Sequence, residues 1–203
     1  MLKIMGIIGD SIAHGLYDTE DLGWVARLGR MILQTQGDEY VFNNMAQAGD
    51  NIADAYARAV AEVGSRHFDL ILVNVGINDL RRRKNSNLQL DFSEGARIMY
   101  WEKLLAFLKS TGAEIVVADL LPVVEEKYTE DASLTRYNSD VERYNEIIKD
   151  VCAAHNVLFF ERNAAWKQRD LSALYQDATH PNAQGHQILA EEIFAFLQKH
   201  KLI

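Results

Sequence analysis

Four short polar blocks punctuate this 203-residue chain, and together they hold the side chains an acyl transfer needs. The first is Gly9-Asp10-Ser11. The second runs Asn44-Met45-Ala46-Gln47-Ala48-Gly49-Asp50, the third is Gly76-Ile77-Asn78-Asp79, and the fourth is Asp177-Ala178-Thr179-His180-Pro181-Asn182. A serine hydroxyl is a weak nucleophile until a base accepts its proton. Histidine changes charge near neutral pH, so His180 can take the Ser11 proton and later return it to a leaving alcohol. Asp177, three residues earlier, can accept a hydrogen bond from the other ring nitrogen and fix the tautomer. Taken singly, each block has an ordinary structural explanation as a turn or a helix cap. The weight lies on whether the fold brings them together.

The elements between the blocks suggest that it does. Short apolar runs cover residues 3–8, 39–44, 68–75, 114–120 and 157–161. Stretches such as Leu70-Ile71-Leu72-Val73 have the continuous hydrophobicity of strands covered on both faces. Amphipathic helical patterns alternate with them. Residues 22–34 carry Trp24, Val25, Leu28, Ile32 and Leu33, and residues 50–63 are alanine-rich with Asp50 or Asn51 as cap. Residues 93–109 carry Ile98, Trp101, Leu105 and Leu108. Residues 139–155 carry Val141, Tyr144, Ile147, Ile148 and Val151, and a last helix starts near Asn182. Repeated strand–helix alternation predicts an α/β fold: a flavodoxin-like, five-stranded parallel sheet between two helical layers. Right-handed crossovers favour the strand order 2-1-3-4-5. In that order the blocks gather on the carboxyl rim, where the strand order reverses and ligands bind.

In residue type and order the four blocks resemble the SGNH hydrolases, also called the GDSL family of esterases and lipases. The resemblance spans almost the whole chain: the GDS of Ser11, the glycine block of Gly49, G-x-N-D with Asn78, and D-x-x-H with Asp177 and His180. It implies Ser11, Asp177 and His180 as catalytic residues. It also implies three oxyanion donors: the backbone N–H of Ser11, the backbone N–H of Gly49 and the side-chain amide of Asn78. A glycine suits that place because a missing Cβ lets backbone approach substrate closely. Ile12-Ala13-His14 departs from the family's commonest continuation after the serine, which leaves the acyl pocket open. The G-x-S-x-G elbow of α/β-hydrolases is absent.

Composition narrows the alternatives. A formal net charge of -8 argues against general nucleic-acid binding, which needs a basic surface. Cys152 is the only cysteine, so no disulfide forms within the chain, and a reducing compartment is expected. The N-terminal apolar run is too short for a secretion signal, and no stretch approaches the ~20 residues that span a bilayer. The expectation is one cytoplasmic hydrolase domain over residues 1–203, with no cofactor or metal, acting on a small acyl ester; the oligomeric state is open. Acyl-CoA thioesters, lysophospholipids and acetylated carbohydrates remain as substrates within the family. A flavodoxin-like FMN binder is the competitor from another class, although Asp10 is electrostatically wrong for a phosphate loop.

Other residues read less sharply. Asp10 and Asp79 are expected to hold loops by side-chain-to-backbone hydrogen bonds. His14 either lines the pocket or sits in a solvated loop. The run Arg81-Arg82-Arg83-Lys84 reads by default as a solvated charge run, with the sharper alternative that it draws anionic substrates to the site. His186 is six residues past His180, which does not place two metal ligands on one helical face, so it is read as a packing or surface residue. Tyr144-Asn145 reads as packing, and Cys152 as inert core. The polar stretches 81–91 and 123–132 are the only plausible insertions.

Overall fold

The computed structural model describes residues 2–37, 39–129 and 133–203. Its centre is a parallel sheet of β1 (Lys3–Gly9), β2 (Tyr40–Asn44), β3 (Leu70–Asn74), β5 (Glu114–Ala118) and β7 (Leu158–Phe160). The spatial order is β2-β1-β3-β5-β7, which is the expected 2-1-3-4-5 when only the strands of this sheet are counted. Every residue of β3 is buried, as its unbroken Leu-Ile-Leu-Val run requires of a central strand. The edge strands β2 and β7 are half-exposed.

Helices cover both faces. Helix α2 (Trp24–Gln36) packs against α8 (Ala183–Lys199), while α3 (Ile52–Val63), α4 (Glu94–Ser110) and α5 (Asn138–Ala154) pack in succession. Of the two caps expected for α3, it is Asn51 that the structure uses. Asn51 and Asp54 form a reciprocal capping box on α3, and Asn182 accepts from the Gly185 N–H at the start of α8. Short helices α1 (Ser11–His14), α6 (Asn163–Trp166) and α7 (Leu171–Leu174) and 3-10 turns, among them Ile77–Leu80, lie among the loops. No helix among the described residues is long and apolar enough to cross a membrane.

The structure departs locally from expectation at the start of α2, at the two insertions and at the last strand. Helix α2 starts at Trp24 and not at residue 22. Leu22 and Gly23 both have positive φ (62° and 92°), and Gly23 lies so close to Gly15 that a Cβ would sit 2.3 Å from its Cα. The apolar Leu22 reads as helical but is 78% exposed. Within the first expected insertion, 81–91, β4 (Arg82–Arg83) pairs antiparallel with β6 (Leu134–Thr135), just beyond the second, forming a ribbon beside the cleft. Residues 130–132 of the second insertion lie outside the described residues. Finally, β7 spans only Leu158–Phe160, shorter than its 157–161 apolar run.

Candidate active site

Strand β1 ends at Gly9, and Asp10 caps α1 by accepting the Ile12 N–H at 2.9 Å. This places the buried Ser11 in the first turn of α1 on the carboxyl rim. Its Oγ is 2.8 Å from Nε2 of His180. Nδ1 of His180 is 2.8 Å from Oδ2 of Asp177. An ionised carboxylate can only accept, so Nδ1 carries the proton and Nε2 presents a lone pair to the Ser11 hydroxyl. The other Asp177 oxygen accepts the backbone N–H groups of Thr179 and His180, each at 2.7 Å. Partial burial by itself would raise this carboxyl. The three hydrogen bonds, the His180 ring foremost, outweigh burial and hold it down at about 2. The ring of Tyr17 stands edge-on to His180, with centroids 5.5 Å apart.

Gly49 and Asn78 line the same cleft of about 650 Å³ as Ser11 and His180. Gly49 has φ of 94°, a conformation that favours glycine. Asn78 is buried, and its Nδ2 donates to the Asp50 carbonyl at 2.9 Å. Its Oδ1 accepts from Nη2 of Arg136 at 3.0 Å. Because a guanidinium only donates, Arg136 fixes which way the amide points and leaves the second N–H of Nδ2 as a possible oxyanion donor. Arg136 is itself buried. Its Nε donates to the Ile77 carbonyl at 2.8 Å and its Nη1 to Thr179 Oγ1 at 3.2 Å, tying the Asn78 block to the His180 block. Sequence reasoning missed Arg136: a single arginine between a two-residue strand and a helix has no spacing pattern to betray it.

The remaining candidates separate clearly. His14 is exposed, with Nδ1 3.2 Å from the Ala46 carbonyl, and lies outside the cleft lining. The basic run is not uniformly solvated, which corrects its default reading. Arg81 and Arg83 line the cleft, Arg82 turns away to a bidentate pair with Asp140 at 2.7 and 2.8 Å, and Lys84 is exposed. His186 is fully buried; Nδ1 accepts the Trp24 N–H and Nε2 donates to the Leu16 carbonyl, pinning the Tyr17 loop to α8. Tyr144 and Asn145 do more than pack: Tyr144 donates to Asp79 at 2.8 Å, and Asn145 both donates to and accepts from the Leu120 backbone. Cys152 is buried, which pushes its thiol up to about 12, outside the range of a reactive thiolate.

Asp10 and Asp79 hold loops as expected, at an electrostatic cost. Burial raises Asp79 to about 7, against the opposing hydrogen bonds from the Ile52 N–H and the Tyr144 hydroxyl. Burial likewise raises Asp10 to about 6, against the bond from Ile12 and the charge of His180. An acid raised on folding is protonated in both states at low pH. Above its ordinary value of 3.8 the unfolded chain ionises first, so its contribution to stability falls as pH climbs through 7. The near-isosteric Asp79→Asn should therefore gain on the wild type as pH rises from 5 to 8. The difference in Tm between the two proteins is the measurement, at roughly 2–4 °C per kcal/mol for a chain of this size. A pH-independent offset would show that Asp79 does not titrate there.

The sequence profile of the GDSL-like lipase/acylhydrolase family matches residues 7–188. An acetylxylan esterase of Geobacillus stearothermophilus is 26% identical over 166 residues, 77% of this chain and 70% of that protein. Among solved structures, an acetyl xylan esterase superposes with a TM-score of 0.77 at 18% identity, covering 96% of this chain and 99% of its own. The lipase/acylhydrolase of Enterococcus faecalis superposes with a TM-score of 0.74 at 18% identity, covering 98% and 97%.

Proposed function

The chain belongs to the GDSL-like lipase/acylhydrolase family, and from that premise we propose that residues 1–203 are one hydrolase domain that cleaves short-acyl carboxylic esters through an acyl-enzyme on Ser11. The observation that carries this reading is the continuous hydrogen-bonded chain Ser11–His180–Asp177, with both links at 2.8 Å. Oγ of Ser11 attacks the ester carbonyl carbon as its proton passes to Nε2 of His180. The resulting oxyanion is met by the N–H groups of Ser11 and Gly49 and the amide of Asn78. Collapse breaks the carbonyl–alkoxy bond, and His180 gives its proton to the departing alcohol. Water then repeats the sequence: His180 takes its proton, the hydroxide oxygen attacks the acyl carbon, and Ser11 leaves reprotonated beside a free carboxylic acid.

The cleft wall supports a short acyl group. Its apolar side chains are Leu16, Leu134, the Tyr128 ring and small alanines, a short stretch beside four basic side chains. A long acyl chain would find little apolar surface to repay its removal from water at ~25 cal/mol per Å². This disfavours a lysophospholipid substrate. An acetyl ester of a carbohydrate fits the same wall, and two of the relatives carry the name acetylxylan esterase. The flavin-phosphate reading fits poorly, because the Asp10 carboxylate already takes the Ile12 N–H at the start of α1, where a phosphate would need that donor.

Purified protein assayed on 4-nitrophenyl esters from acetate to dodecanoate should show kcat/KM highest at acetate or propionate and falling with length. Acetate release from acetylated xylooligosaccharides in parallel would identify the carbohydrate ester. Preference for the decanoate would overturn the short-acyl reading, and no turnover of any ester would overturn the function.

A further inference from the structure

The candidate active site is strongly basic in a protein whose sequence is acidic, at net -8. Arg81, Arg83, Lys127 and Arg136 all line the cleft that holds Ser11. The acidic side chain described in that lining, Asp177, is already committed to His180 and two backbone N–H groups. Arg83 has a partner in Asp91, and Lys127 donates to the Tyr175 carbonyl at 2.7 Å.

Arg81 and Arg136 differ from these. The N–H groups of Arg136 go to uncharged acceptors: the Ile77 carbonyl, Asn78, Thr179 and the Tyr128 hydroxyl. Arg81 donates one hydrogen bond, from Nη2 to the Gly49 carbonyl at 3.1 Å. Among the described residues, neither guanidinium has a carboxylate at ion-pairing distance. The two also feel each other. Burial first, then the charges of Arg136 and Arg83, push the Arg81 guanidinium's pKa down. Two like charges are therefore held in one partly dehydrated cleft with most of Arg81's donors uncommitted. A surface arginine would relax into water. Arg81 is tethered instead to the backbone of Gly49, beside the expected oxyanion site.

We propose that the substrate carries an oxyanionic group, a carboxylate or a phosphate, next to the ester it presents to Ser11, and that Arg81 receives this group with Arg136 reinforcing the field from beneath. A planar guanidinium with free parallel N–H groups matches either anion bidentately. Docking there neutralises the unpaired charge and orients the ester with its carbonyl toward Gly49 and Asn78. A locally positive cleft also offsets the repulsion that the whole acidic chain exerts on an anion. This inference rests on the esterase reading of the same site, so its test includes a measurement that needs no turnover.

Three matched acetates serve as substrates: 4-acetoxybenzoate, 4-acetoxyphenyl phosphate and the neutral 4-acetoxybenzamide. Wild type should favour at least one anionic ester over the amide in kcat/KM by about 10–100-fold, the worth of a charge-assisted hydrogen-bonded pair. The faster of the two identifies carboxylate or phosphate. The preference should shrink with added salt, collapse toward one in Arg81→Gln and survive in part in Arg81→Lys. Calorimetric binding of 4-hydroxybenzoate, 4-hydroxyphenyl phosphate and 4-hydroxybenzamide should show the same order and the same dependence on Arg81. Turnover of all three acetates without anionic preference overturns the anion site and leaves the esterase standing. Absence of turnover with Arg81-dependent binding of the anions overturns the esterase and leaves the anion site standing. Equal binding of the amide and both anions overturns the inference by itself.

Discussion

Ser11→Ala is expected to lower kcat by about 10⁴–10⁶-fold, to change KM little, and to end covalent labelling by a fluorophosphonate. In the proposed mechanism the hydroxyl is the atom that forms the new bond, so its removal would delete the acyl-enzyme route and leave only whatever the oxyanion donors and binding achieve with water. The fold should survive. Ser11 Oγ reaches His180 and alanine suits the first turn of α1, so no buried polar atom loses an obligatory partner except the histidine, which faces the cleft. His180→Ala should cost about as much, and the double variant no more than either single, because nucleophile and base act as one unit. Any ascending limb of the pH–rate profile that reports the general base should vanish in His180→Ala. Intact-protein mass spectrometry with peptide mapping checks the label. Ser133 lines the same cleft and is the natural control. An adduct on Ser133, or undiminished turnover in Ser11→Ala, would overturn the assignment.

The parts of this site that were legible in the sequence lie where local pattern and global fold agree. The Leu70-Ile71-Leu72-Val73 run read as a strand covered on both faces, and it is β3, which leads to Asn78 on the rim. The first three polar blocks follow apolar runs that became sheet strands, so the strand order gathers them, whereas the His180 block follows α7 and meets Ser11 only through tertiary contact. What escaped was set by tertiary contact. Leu22 has the right type and spacing for α2, but the close passage of Gly23 over Gly15 forces the chain out of helix there. The Arg81–Lys84 run looks uniform as letters, yet two-residue pairing of Arg82–Arg83 with Leu134–Thr135 sends Arg82 to Asp140 and turns Arg83 to the cleft. Arg136 reaches Asn78 across 58 residues of sequence, a separation at which no local signal exists.

That last contact makes Asn78 the most informative position after Ser11. If its amide serves the oxyanion, the bond is strong only once negative charge has developed, so it stabilises the transition state more than the bound ester. Asn78→Ala should then lower kcat on 4-nitrophenyl acetate by about 10²–10³-fold with KM nearly constant. Asn78→Asp should be at least as damaging. Its carboxylate would keep the pair with Arg136 but face the Asp50 carbonyl without a donor and turn negative charge toward the oxyanion. If Asn78 serves the oxyanion, Arg136 would act through it as a positioning residue, and Arg136→Lys tests that. Lysine keeps the charge but loses the fork that spans Ile77, Asn78 and Thr179. It should lower kcat by about tenfold, and this loss should largely disappear when measured in the Asn78→Ala background, since there is then no amide left to orient. A purely structural role would instead subtract the same factor in both backgrounds and lower Tm equally. Steady-state kinetics on the four proteins of this cycle, with circular dichroism melts, separates the two. A folded Asn78→Ala enzyme with wild-type kcat would confine the asparagine to its bond with the Asp50 carbonyl, and would leave the oxyanion to the N–H groups of Ser11 and Gly49.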